Sequence, residues 1–328
     1  VFVAGTGTQP LLADVTTTPT SLNPFNGNFN VVDTLKLTQT QVALGKSAGL
    51  TTQGTNAIAI GLGAGQTNQE ANCVAIGAGS GDFNQQLSAV AVGVLAGYSN
   101  QGQSSVAIGS AAASSNQSVQ CVAIGNSAGG ASQGGSSIAI GFSCASISQG
   151  SQSVAIGSQA GQNTQGNTAV AIGLQAGLTT QGASGIAIGS SAGLTSQGAN
   201  AIAIGLNAAL TNQAANCVAI GNGAGSGSQL TQAVAVGNGA GGVNQGNSSI
   251  AIGALAGQFN LQTNCIAIGN LASRNSSVAN SICLNASGVA LNPAAAGFFV
   301  NPIRQVPLGG VPTNVLYFNP ATNEILRG

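Results

Sequence analysis

Val154-Ala155-Ile156-Gly157-Ser158-Gln159-Ala160-Gly161-Gln162-Asn163-Thr164-Gln165-Gly166-Asn167-Thr168-Ala169 is followed at once by Val170-Ala171-Ile172-Gly173-Leu174-Gln175-Ala176-Gly177-Leu178-Thr179-Thr180-Gln181-Gly182-Ala183-Ser184-Gly185. The two segments align without a gap, and the register extends in both directions. Fifteen 16-residue units begin at Val42, Ile58, Val74, Val90, Val106, Val122, Ile138, Val154, Val170, Ile186, Ile202, Val218, Val234, Ile250 and Ile266, and a decayed sixteenth begins at Ile282. The consensus is [VI]-A-I-G-x-x-A-G-x-x-[STN]-Q-G-x-x-x. Ala at position two and Gly at position four hold in all fifteen good units. The third residue is Ile in twelve, and Gln stands at position twelve in thirteen, giving way to Leu261 and Ser277. A fixed short period of this kind is the signature of a stacked-repeat architecture.

The unit is too short for a helical hairpin, and its Gly and β-branched residues disfavour helix. Val-Ala-Ile reads as a short strand with Val and Ile on one face and Ala on the other, and Gly marks a tight corner. One coil of a parallel β-solenoid fits, with coils about 4.8 Å apart and fifteen of them making a rod of roughly 70 Å. The expected fold is therefore all-β, a β-roll of about fifteen 16-residue coils. Val and Ile are expected inside the coil. The Ala column, represented by Ala59, Ala107, Ala155, Ala203 and Ala251, is then left as an apolar strip for contact with another chain. The Gln column, Gln101, Gln117, Gln133, Gln149, Gln165 and Gln181 among others, is expected to form a structural amide ladder that fixes the register. A row of outward Gln that binds a ligand is the alternative.

Composition excludes several functions. There are five Lys/Arg and five Asp/Glu in 328 residues, no His, no Met and no Trp. The chain thus lacks the commonest metal ligand and proton shuttle. It has no basic surface for nucleic acid or anionic membrane and no apolar run long enough for a membrane-spanning helix. Only Lys46, Glu70, Asp82 and Arg274 are charged within the fifteen units. Glu70 and Asp82 lie in successive units, but nothing in their surroundings separates two pKa values for acid–base work. The expectation is no enzyme, no cofactor and no metal.

Cys73, Cys121, Cys217 and Cys265 share the last position of their units with Ala, Ser and Gly, so they read as small buried apolar residues. Members of this column are at least three coils apart, about 14 Å, too far for a disulfide within one stack. Cys144, in place of Ala at position seven, reads the same way. Asn116, Asn247, Asn275 and Asn285 stand in glycosylation sequons, as chance alone would produce in so Asn- and Ser-rich a chain. An ice-binding solenoid needs a regular Thr array. Position ten offers Thr51, Thr67, Thr179, Thr195 and Thr211, but also Phe83, Ile147, Val243 and Phe259.

Ser105-Val106-Ala107-Ile108-Gly109 and Ser153-Val154-Ala155-Ile156-Gly157 resemble the head repeat of trimeric autotransporter adhesins of the YadA type, whose units read S-V-A-I-G-x-x-S-x-A-x-G. That resemblance implies a left-handed β-roll and a side-by-side homotrimer, although the family's commonest unit is shorter. The tail, Phe298-Phe299-Val300-Asn301-Pro302-Ile303-Arg304 with Leu316-Tyr317-Phe318-Asn319-Pro320-Ala321-Thr322-Asn323-Glu324-Ile325, resembles a segment of large-DNA-virus and phage fibre proteins. There it leads into an intramolecular chaperone of the endosialidase type, so coding sequence beyond Gly328 and maturation near that residue are expected.

Three parts follow: 1–41, a cap or attachment segment with Phe25 and Phe29; 42–297, the repeat shaft; and 298–328, a β cap or tail preceding the chaperone. The expected function is the structural shaft of a homotrimeric extracellular fibre or adhesin, on a virion or cell surface. Residues 1–41 would join a virion or filament base, and a host glycan or protein would be the outer partner. A homopolymeric extracellular filament and the ice-binding solenoid are the alternatives.

Overall fold

The computed structural model describes residues 35–38, 40–303, 316–319 and 324–327. The reading of Phe25 and Phe29 as a cap lies outside the described residues. Among the described residues every regular element is a strand. The Val-Ala-Ile triplets stack in one parallel sheet with a register of one unit, Val154 on Val170, Ala155 on Ala171 and Ile156 on Ile172. Opposite them a second parallel sheet stacks the short strands that end in Gln, from Thr51–Gln53 to Thr211–Gln213, Gln on Gln. Isolated bridges carry it on through Gln229 and Gln245. The chain is thus a parallel β-solenoid.

Leu35–Thr38 closes one end, pairing antiparallel with Gln41–Leu44. At the other end, Ser281–Asn285 stacks on the triplet Ile266–Ile268, and Gly297–Asn301 stacks on Ser281–Asn285. Phe298 therefore takes the place of Val, Phe299 that of Ala and Val300 that of Ile. The stack extends to Asn301, beyond the shaft boundary drawn at residue 297. Leu316–Asn319 and Glu324–Arg327 form a separate antiparallel hairpin.

Gly at position four is required by the stacking itself. Its φ lies near +126° at Gly157, a region closed to L side chains. A Cβ there would sit 2.6 Å from the carbonyl oxygen of Gly173 in the next coil. The close approach lets each such glycine donate its N–H to the third strand residue of the preceding coil, as Gly173 does to Ile156 at 2.8 Å. At position eight, Gly161 (φ +54°) leaves the space that Gln165 fills, since a Cβ would meet Oε1 at 3.0 Å. Asn at position eleven, such as Asn84 and Asn100, adopts the left-handed conformation that Asn tolerates. These side chains form an outer amide ladder, Asn68 donating to Asn84 at 3.1 Å, Asn84 to Asn100 at 3.0 Å and Asn100 to Asn116 at 3.1 Å.

The interior is narrow and reverses the expected facing of the strand. Ala at position two is fully buried throughout, and Ala at position seven packs beside it. The Val and Ile of the same triplets are half-buried or exposed. With two three-residue strands facing each other across Ala, the lumen has room for methyl groups and for one extended Gln per coil. It has none for two columns of β-branched side chains.

Candidate functional site: the outer face of the Val/Ile sheet

Ala59, Ala107, Ala155, Ala203 and Ala251 are each 0% exposed. They line the lumen, so the strip expected to contact another chain is core, and this placement corrects the sequence reading. What faces outward is the Val/Ile pair of every triplet. Ile76, Ile108, Ile124, Ile156, Ile220, Ile252, Ile268 and Ile282 are 36–40% exposed. Leu62, Val94, Phe142, Leu174 and Leu206, at position five just past the Gly corner, are exposed beside the strip, and Phe298 and Val300 continue it past the repeats.

Its size follows from the geometry. About 70 Å of stack by about 10 Å of three-residue strand gives roughly 700 Å² per chain. The largest apolar patch on an ordinary monomer is about 300–600 Å². A partner in a standard protein interface contributes about 800 Å². The face is also regular and free of charge, because each triplet stacks in register on the next and none contains a charged residue.

The Gln column crosses the lumen. Each of the thirteen Gln side chains donates Nε2 to the carbonyl of the first strand residue of its own coil, eleven positions back, at 2.7–3.1 Å. It thereby ties the two sheets together. Superimposed on these struts are runs of Gln-to-Gln bonds. Gln69 donates to Gln85 and Gln85 to Gln101; Gln117 to Gln133; Gln149 to Gln165; and an unbroken run links Gln181 to Gln245. Where a run begins, at Gln69, Gln117, Gln149 and Gln181, Oε1 has no donor. The run ends before Leu261, which is fully buried in the same place. The strut was the part that sequence reasoning missed. Its signal was the pairing of Gln at twelve with a small residue at eight, where the amide needs room.

The six cysteines are free and buried. Cys73, Cys121, Cys217 and Cys265 donate weakly to the carbonyl thirteen residues on, in the next coil. Ser105 makes the same bond at 2.7 Å, so thiol and hydroxyl are interchangeable there. Burial pushes the Cys144 thiol up to about 12 and raises those of Cys73 and Cys217. Such thiols are poor nucleophiles. Glu70 and Asp82 are not brought together. Glu70 accepts from the Leu87 N–H at 2.8 Å, beside the Asn ladder, whereas Asp82 opens on a different notch with Leu62 and Tyr98. Of the sequons, Asn285 is 4% exposed and its amide is spent on the carbonyls of Asn270 and Val289. Among the described residues no group of His, Cys, Asp and Glu could hold a metal, and no helix is long and apolar enough to cross a membrane. No protein-family model, curated protein or solved structure matches this chain.

Proposed function

We propose that the chain is the shaft of a homotrimeric extracellular fibre, carried on a virion or cell surface, with no catalytic role. The supporting observation is the uncharged Val/Ile face of roughly 700 Å². Its repeat matches that of a second copy laid alongside, coil against coil. Burying it needs a partner as long and as periodic as the chain itself, and another copy meets both conditions. Three copies rather than two is the number implied by the adhesin-like repeat, and the tail's resemblance to viral fibres favours a virion. On this reading the Val/Ile columns do the work that the sequence had assigned to the Ala columns.

In such a fibre, residues 1–41 attach to a base, and the outer side of the second sheet, with its Asn ladder, faces a host glycan or protein. Native mass spectrometry of the purified chain is the direct test. A trimer that survives dilution to micromolar concentration is expected, and a stable soluble monomer would overturn the proposal.

A further inference from the structure

Position nine of the unit is a column of neutral residues, Leu50, Gln66, Tyr98 and Ser114 among them, with Arg274 its one cation and Asp82 its one carboxylate. Asp82 is 8% exposed, and its Oδ1 is buried without a hydrogen-bond donor. The side chain lines a notch of about 410 Å³ whose walls are Leu62, Val94, Leu95 and Tyr98. The notch exists because two successive units carry Gly63 and Gly79 at position six. A Cβ on Gly79 would come within 2.8 Å of Leu95 Cδ2. Phe83 packs edge-on against Tyr98, ring centres 5.4 Å apart, and holds that wall in place.

The same pattern recurs without the acid. Gly223, Gly239 and Leu255 repeat the position-six sequence, and a Cβ on Gly239 would lie 2.9 Å from Leu255 Cδ2. There the residues equivalent to Asp82 and Tyr98 are Gly242 and Gln258. The coil therefore closes over this pattern with no carboxylate at all. A carboxylate oxygen withdrawn from water and given no donor, as Asp82 Oδ1 is, destabilises the fold that contains it. Burial accordingly raises the Asp82 carboxyl above its usual range. Breaks of local rules of this kind cluster at functional sites.

We propose that the Asp82 notch binds a primary ammonium group carried on an aliphatic stem. The ammonium supplies the positive charge that the carboxylate lacks. The stem lies against Leu62, Val94 and Leu95, and the Tyr98 ring adds a cation–π contact. Two sources share this chemistry, a lysine side chain on a protein partner and a free alkylamine. Lys46 adjoins Ser47 at the rim, yet Oδ1 takes no bond from it.

Calorimetric titration of the full chain tests this with three probes: n-pentylamine, 1-pentanol of equal stem length, and Nα-acetyl-lysine N-methylamide. Saturable binding of pentylamine is expected, weakened about tenfold or more in Asp82→Asn, as loss of one charge-assisted hydrogen bond implies. Pentanol should not distinguish the two proteins. Asp82→Ser, which installs the residue native to this column at Ser114, gives a second variant, and circular dichroism confirms that both fold. Lysine amide binding as tightly as pentylamine identifies a protein side chain as the ligand, and binding of pentylamine alone identifies a small amine. Undiminished pentylamine binding in both variants, or none in the wild type, overturns the proposal.

Discussion

Two sets of substitutions in the same triplets separate folding from assembly. Ile156 is 36% exposed, and Ile124 and Ile220 are equivalent at 36% and 37%. Full burial of an isoleucine is worth about 1.5–3 kcal/mol, so the third that remains outside contributes roughly 0.5–1 kcal/mol per chain on assembly. Changing all three to Glu forfeits that in every chain of the trimer. It also brings rings of carboxylates into an apolar seam, at several kcal/mol per buried charge. The sum exceeds the ~8 kcal/mol that holds a micromolar complex together. Each coil should nevertheless fold, at about 1 kcal/mol or less per site from lost strand propensity.

Ala155 is 0% exposed, and the Cβ position of Gly161 lies only 3.4 Å from its methyl. Ala155→Glu forces a longer, charged side chain into the lumen beside Gln165, an overpacking and desolvation cost that the coil cannot absorb. Sedimentation velocity with far-UV circular dichroism reads both outcomes. The Ile triple variant should give native spectra at monomer mass, and Ala155→Glu should lose β signal. An Ile triple variant that keeps wild-type mass would refute the assembly face. A well-folded monomer from Ala155→Glu would show the facing argument to be inverted.

Other substitutions probe the coil itself. Gly157→Ala should destabilise by about 4 kcal/mol in chemical denaturation, combining left-handed strain with a backbone clash. Gly223→Ala, at φ +63° with no atom within 4 Å of the new methyl, should cost only about 1 kcal/mol. Gln165→Leu strips donors from the carbonyls of Val154 and Ala169 and an acceptor from Gln149, a loss of about 2–3 kcal/mol. Leu261→Gln extends the Gln run by one and should be neutral or stabilising in the same assay. Because the folded chain holds the Asp82 proton more tightly than the unfolded chain, stability should fall as pH rises from about 4 through the raised Asp82 value. Tyr98 is the other titratable group lining that notch, and Lys46 stands next to its rim. Asp82→Asn should abolish this slope, matching wild type below the window and exceeding it above, as urea midpoints across the range would show.

The repeat made the coil, its length and its corners legible, because Gly at four and eight and Gln at twelve recur wherever geometry demands them. Facing was harder to read. Alternation in Val-Ala-Ile says that two residues share a side but not which side is inside, and β-branched bulk argued for the wrong one. The clue was variability. Position two is Ala in every unit, as a lumen of fixed volume requires, whereas positions one and three drift among Val, Ile and Leu. The Asp82 notch was illegible for a different reason. It depends on Gly63 and Gly79 in two units and on Tyr98 in a third, and only stacking turns that column into a wall.

Because each coil bonds only to the coil before and the coil after, rod length is a discrete variable. Loss of one residue would move every later glycine out of its column and set side chains against carbonyls. Loss or gain of sixteen codons would restore the register at once and change the reach of the rod by one spacing, about 4.8 Å. The close match of the units at Ile58 and Ile202, nine coils apart, suits unequal exchange between copies, with whole blocks as its currency. Such a gene can adjust how far its product stands from a surface without inventing any new structure, in steps that selection sees one rung at a time.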